Sequence, residues 1–186
     1  FFGGNRICKP MYPVDLETKA DQIDYEIAQN TKVEDCLHQA ADLLEAILPG
    51  LTPVQKADGE RMYALVRFMQ NTTQTVLNVK QWHKLKWALG YRISPDTTKK
   101  ATAFLLCQDV FDALSKNERA AIIEKMKALA EAEIENARRT IPLVQLDSRL
   151  GYEPSMEYIG DEAHILWKIE TTRKALEEEI LPLLDR

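Results

Sequence analysis

Three sets of side chains in this chain have the types and spacing to do chemistry. The first crowds into an irregular stretch: Asp147, Ser148, Arg149, Tyr152, Glu153 and Glu157, broken by Gly151 and Pro154, with Arg138 and Arg139 just upstream. A carboxylate, a guanidinium, a hydroxyl and an aromatic ring are what a carbohydrate or carboxylate pocket uses. Irregular segments also carry such sites more often than helix faces do. The plainer reading is that Asp147 and Arg149 hold the loop in shape through salt bridges and N–H capping. A glycosidase pair of carboxyl groups must flank a bond at a set separation, which spacing along a chain cannot measure, so no catalytic residue is assigned.

The second set is Asp35-x-x-His38 and Asp161-x-x-His164, an acid and an imidazole on one face of each of two helices. Carboxylate-bridged di-metal bundles use two such motifs, but with Glu, and add a Glu from each of two further helices. Glu131 or Glu135 could supply one; Glu60 is a poor candidate for the other. Both histidines fall near expected helix starts, so the plainer reading is two capping-turn histidines, and no cofactor is expected. The third set is a stripe: Arg67, Asn71, Gln74, Asn78 and Gln81 recur at spacings of three and four along one helical face. Such a face is ordinarily solvated; the alternative is a hydrogen-bonding strip facing a partner or a sugar. Asn71-Thr72-Thr73 also spells a glycosylation acceptor, here in mid-helix.

Other chemistries lack their residues. There is no G-x-S-x-G elbow and no glycine-rich phosphate loop. The cysteines, Cys8, Cys36 and Cys107, are far apart. Cys36 and Cys107 fall on apolar helix faces and read as buried, reduced thiols. Lys80-Gln81-Trp82-His83-Lys84-Leu85-Lys86-Trp87 mixes aromatic and basic residues, with one tryptophan expected in the core and the other at an edge. The formal net charge of -5 argues against non-specific nucleic-acid binding. No apolar run is long enough to span a bilayer.

The elements that must position these groups are helices. With 186 residues, 45% hydrophobic and 28% charged, the chain can bury a proper core. Residues 1–13 read as an extended leader, because Gly3-Gly4, Pro10 and Pro13 oppose helix. Asp15 caps a helix, and Thr31 to Glu34 fits a capping box that would restart it. Val33, Cys36, Leu37, Ala40, Leu44, Ile47 and Leu48 make an apolar face, stopped by Pro49-Gly50. Thr52-Pro53 with Gln55 opens a helix running to Leu89, with Leu65, Phe68, Met69, Val76, Val79 and Leu85 inward, and Gly90 ends it. Ser94-Pro95 opens another, apolar around much of its girth from Ala101 to Leu114, and expected to be the most buried. Ser115 to Glu118 is a second capping box before the central rod, whose row is Ile123, Ala130, Ile134, Ala137 and Ile141. Pro142 kinks or ends the rod. Asp161 caps the last helix, with Ile165, Ile169, Thr172, Leu176, Ile180 and Leu183 inward. No strand pattern follows the leader. The expected fold is all-α, an up-and-down bundle of five or six helices over 14–186.

Two passages carry a resemblance. Ala132-Glu-Ile-Glu-Asn-Ala-Arg-Arg-Thr-Ile-Pro-Leu-Val144 and Asp147-Ser-Arg-Leu-Gly-Tyr-Glu-Pro-Ser-Met-Glu-Tyr158 resemble the C-terminal helical region of large, mostly uncharacterised bacterial proteins of glycoside-hydrolase type. The likeness covers the last third of the chain, and faintly the neighbourhood of Trp82. It implies a parent acting in carbohydrate metabolism, with a catalytic domain upstream and this bundle packed against it. The chain starts Phe1-Phe2-Gly3-Gly4 without an initiator Met, which fits a piece of a larger protein. The first expectation is therefore a non-catalytic accessory domain, partnered by upstream domains of the parent and by a glycan, that presents the 147–156 loop to a cleft. The alternatives are a metal-carboxylate bundle enzyme and a plain protein-interaction bundle.

Overall fold

The structure is a computed structural model and describes residues 15–94, 103–153 and 158–186. The leader, Cys8, Pro95, Ala101, Pro154 and Glu157 lie outside the described residues. Those described form five α-helices and two short antiparallel ribbons. The fold is an all-α bundle.

Helix α1 (Leu16–Ile47) starts at Asp15, whose side chain accepts from Glu17 N. Helix α2 (Pro53–Ala88) starts at a complete capping box, Thr52 with Gln55, and has Pro53 in its first turn. Helix α4 (Lys116–Leu146) starts at the Ser115–Glu118 box, and α5 (Glu162–Lys174) at Asp161. In each case side-chain oxygens take up N–H groups that the first turn leaves unpaired. Cross-helix bonds show that sequential helices run antiparallel. Glu34 and Glu26 on α1 meet Gln70 and Lys80 on α2. Asn71 and Asn78 on α2 meet Thr140 and Glu133 on α4. Gln145 and Glu133 on α4 meet Glu162 and Lys168 on α5. No helix of the described residues is long and apolar enough to cross a membrane.

Several elements depart from the sequence-based expectation. Helix α1 does not restart at Thr31. The Thr31 hydroxyl donates to the Ile27 carbonyl one turn back at 2.9 Å, and the Glu34 carboxylate is turned to α2 instead. The expected helix from Ser94 is not formed at its described ends. Gly90, at φ 110°, turns the chain into β1 (Tyr91–Ser94), which pairs antiparallel with β2 (Ala103–Leu106), Tyr91 opposite Leu106. Among the described residues of this stretch, only the six-residue α3 (Gln108–Ala113) is helical. The apolar run in β2 obeys a period of two: Phe104 and Leu106 pack on the core while Leu105 is 56% exposed. Cys36 is exposed, and Cys107 is half-buried at the start of α3 rather than on a helix face. Pro142 does not end α4, which continues to Leu146. Pro142 is exposed, so the N–H it lacks costs less there than in a packed interior.

The core comes in two parts. One gathers Leu89, Phe111, Ile123, Met126 and Ala130 with Leu176, Ile180 and Leu183, against the β1–β2 ribbon. The inward row of α5 continues into this part through a π-helical turn (Ala175–Ile180) and a 3-10 segment (Leu181–Asp185). Trp82 packs against it, and Trp87 stacks on Phe104 at 6.3 Å with the Arg92 guanidinium over the Trp87 ring, 4.5 Å from its centre. The second part joins Ile134, Ala137 and Val144 to Ile165 and Ile169. Along α4 the buried Glu133 falls between the two, and the buried Asn136 follows three residues on, within the second. The lysines of the aromatic-basic stretch are paired within the bundle, Lys80 with Glu26, Lys84 with Asp24 and Lys86 with Glu179.

Candidate functional site

The polar stripe of α2 is only partly a solvated face. Arg67, Asn71 and Gln74 line a cleft of about 780 Å³ between α1, α2 and α4, Asn78 is buried further along the bundle, and Gln81 is exposed. The helix is rotated from the expected register: Gln70 and Asn78 are buried, while Leu65, Met69 and Val79 are exposed. The rotation follows from what the neighbours offer. Helix α1 presents carboxylates and an imidazole, and α4 presents Asn136 and Glu133, so amide side chains find partners inside.

Arg67 anchors the α1 wall. Its Nη2 donates to Asp42 at 2.8 Å and Glu45 at 3.2 Å, its Nη1 to Gln70 Oε1 at 2.9 Å, and its Nε to the Tyr63 hydroxyl at 3.2 Å. Burial works against the charge, but the hydrogen bonds to Tyr63, Asp42 and Glu45 outweigh it and hold the guanidinium pKa above its ordinary value. Gln70 passes the network on, donating to Glu34 at 2.7 Å and to His38 Nδ1 at 3.0 Å. That geometry makes Nδ1 an acceptor, so the His38 proton sits on Nε2, which faces Asp42 at 3.4 Å.

Asn136 forms the α4 wall and is 1% exposed. Its Nδ2 donates to the Asn71 carbonyl at 2.8 Å and to Thr75 Oγ1 at 3.1 Å. Its Oδ1 is buried and has no donor in the structure. Flipping the amide would set Oδ1 against the Asn71 carbonyl, so the orphan is the oxygen. Behind it lies a saturated layer. Thr75 donates to Glu133 at 2.8 Å, Asn78 Nδ2 to the other Glu133 oxygen at 2.5 Å, and Lys168 on α5 to both Glu133 and Thr75. Asn71 Nδ2 donates to Thr140 at 2.9 Å, so the side chain of the sequence's glycosylation acceptor is engaged in the bundle. On the far side of α2 a smaller cleft of about 290 Å³ is lined by Phe68, Thr72, Ile165, Trp167 and Lys168.

The 147–153 loop is arranged differently. Arg149 clamps Asp147 with Nε at 2.8 Å and Nη2 at 2.5 Å, and its own N–H donates to Asp147 Oδ1 at 3.1 Å. Ser148 is exposed. Tyr152 and Glu153 form β3 (Tyr152–Glu153), paired by backbone with β4 (Tyr158–Ile159). Gly151 is required there: a Cβ would stand 2.5 Å from the Gly160 carbonyl oxygen. Arg138 lies apart on α4, 3.7 Å from Glu135. None of the larger cavities among the described residues is lined by Asp147, Ser148 or Arg149. The Arg149 guanidinium holds the Asp147 carboxyl down at about 2, against 3.8 for a free aspartate. Because the folded value is depressed, the clamp is complete above pH 3.8 and is lost as pH falls through about 2. An NMR titration of the Asp147 carboxyl carbon is expected to show a midpoint near 2, and Arg149→Gln is expected to raise it toward 3.8, short of the full value because the backbone N–H of residue 149 and the Arg61 charge still act on it. A wild-type midpoint at the free value would mean that the clamp does not form.

The two acid–imidazole pairs do not assemble. Asp161 caps α5, accepting from His164 N at 3.0 Å and His164 Nδ1 at 2.7 Å. His164 backbone and side chain together lower the Asp161 pKa. His38 lies mid-helix, because α1 is unbroken, and is turned to Gln70 and Asp42; Asp35 is exposed. Among the described residues no group of three or more His, Cys, Asp or Glu side chains is placed to hold a metal ion.

Of the sequence-singled groups, the structure brings together Arg67, Asn71 and Gln74 with His38, and leaves the loop residues elsewhere. The residues that sequence reasoning passed over are Glu133, Asn136, Thr75 and Lys168. A signal existed for two of them: Glu133 and Asn136 sit at i and i+3 within the apolar row from Ala130 to Ala137, where a polar residue must find a partner. Comparison of the chain with protein-family models, with curated proteins and with solved structures finds no match.

Proposed function

We propose that the chain is a non-catalytic helical module that binds a hydroxyl-rich ligand, a segment of a glycan, in the cleft between α1, α2 and α4. The observation that supports this reading is the Asn136 Oδ1 atom, a buried acceptor without a donor at a cleft otherwise lined by Gln70, Asn71, Gln74 and Arg67. An unmet buried acceptor costs about 1–3 kcal/mol, which a ligand donor recovers. A sugar hydroxyl donates and accepts at once, so it can give its proton to Asn136 and take an N–H from a neighbouring amide or guanidinium. The Tyr63 ring on the same cleft offers the apolar face of a pyranose a surface to lie on. Among the described lining residues Glu34 is the one carboxylic acid, whereas hydrolysis of a glycosidic bond needs a flanking pair.

The accessory role in a carbohydrate-active parent belongs to the same proposal. Its support is the resemblance over 132–158, together with exposed apolar side chains on α1 and α2 that an adjoining domain would cover. Leu43, Ile47, Val54, Met62 and Met69 are each about half exposed or more. The test is to titrate the isotope-labelled chain with neutral and acidic oligosaccharides and follow the side-chain amide signals. The expected result is saturable shifts at Asn136, Gln70 and Gln74, with Gln74→Ala weakening binding roughly fivefold, the worth of one hydrogen bond of about 1 kcal/mol. Absence of shifts, or shifts confined to surfaces away from the cleft, would overturn the reading.

A further inference from the structure

We infer that the ligand of this cleft carries a carboxylate, and that its class is a glycan of acidic sugars such as uronic acids. The inference rests on the glycan-binding reading above and concerns the charge of what binds.

Among the described residues, each of two opposite walls of the cleft carries one charge outside any ion pair. Arg139 stands one turn after Asn136 on α4, so the two side chains share a face, and both line the cleft. Arg139 is exposed and has no carboxylate partner among the described residues. The guanidinium of Arg67 is already shared between Asp42 and Glu45, and that of Arg138 lies 3.7 Å from Glu135. On the α1 wall, Glu34 accepts from Gln70 and forms no ion pair among the described residues. An anionic group is therefore repelled from α1 and drawn to α4. A guanidinium takes a carboxylate by two parallel N–H bonds, which fixes orientation as well as charge. An acidic sugar satisfies all three sites: its carboxylate meets Arg139, one hydroxyl donates to Asn136 Oδ1, and another donates to Glu34. A neutral sugar leaves Arg139 unused, and a cationic ligand would meet it unfavourably.

The experiment compares trisaccharides of galacturonic, glucuronic and mannuronic acid with their neutral methyl esters, titrated calorimetrically into the whole chain and into Arg139→Gln. Arg139 is on the surface, so the variant folds. At least one free acid is expected to bind tenfold or more tightly than its ester. Arg139→Gln is expected to remove that difference, while affinity for the ester changes less than twofold. Equal affinity for acid and ester, unaltered in Arg139→Gln, would overturn the inference and leave the hydroxyl-ligand reading standing. Failure of both acids and esters to bind would overturn both.

Discussion

Glu133→Ala is expected to destabilise the bundle by about 3 kcal/mol, within the range seen when one partner of a buried ion pair is removed. The carboxylate accepts from Thr75 and Asn78 and pairs with Lys168. Its removal takes this acceptor from three donors between the two halves of the core, of which Lys168 keeps a bond to Thr75. Lys168 is 37% exposed at its side chain and can turn to water, which holds the cost at the low end. The buried Asn78 amide, at 5% exposure, cannot. Urea denaturation checks this: the midpoint should fall while the slope stays that of the wild type. Glu133→Leu combined with Lys168→Met should cost less than Glu133→Ala alone, because it removes both charges of the pair rather than orphaning one. A loss below about 1 kcal/mol in the single variant would mean that this layer is not closed from water.

Phe111→Ala is expected to cost about 4 kcal/mol, the usual range for deleting a buried aromatic ring. Phe111 is fully buried among Leu89, Ile123 and Met126, and the Arg119 guanidinium lies 4.6 Å from its ring centre. The backbone nitrogen of Phe111 would stand 3.1 Å from a Cβ placed on Gly90, so this short helix is seated on the turn that launches β1. For a chain of this size the loss corresponds to a fall in Tm of roughly 8–16 °C. The fall should be accompanied by a change in tryptophan emission, since Trp82 packs on the same cluster. Leu105→Ala, at an outward strand position, should change stability by less than about 0.5 kcal/mol. Were residues 103–106 helical instead, truncating Leu105 and truncating Phe104 would not differ in this alternating way.

The frame of the bundle was legible because its signals are local. Asp15, Thr52, Ser115 and Asp161 are caps wherever the chain goes next, since their oxygens serve N–H groups within three residues. The inward rows of α4 and α5 were legible for a related reason: Ile123, Ala130, Ile134, Ile165, Ile169 and Ile180 recur at helical spacing and are buried. The Thr31 box failed as a signal because a hydroxyl inside a helix can bond the carbonyl one turn back just as well. The run around Phe104 failed because a short apolar stretch fits a buried helix or a strand equally. Only the core at that end of the bundle selected the strand.

The candidate site was less legible. Asn71, Gln74 and Asn78 were visible as a stripe, but whether a polar stripe meets water or protein depends on what the next helix presents. Arg67 is satisfied by residues 22 and 25 positions away, and Asn78 by Glu133 at a separation of 55. No local pattern encodes such pairings. What the sequence determined by itself was an all-α chain, its helix starts and most of its inward rows, because capping and periodicity act over a few residues. What the tertiary structure decided was the rotation of α2 and, with it, the conversion of a surface-like stripe into a cleft. Rotation of a helix about its axis is chosen by the sum of distant partners, and here the buried Glu133 and Asn136 of α4, with the carboxylates that α1 presents to Arg67 and Gln70, outweighed the exposure of Leu65, Met69 and Val79.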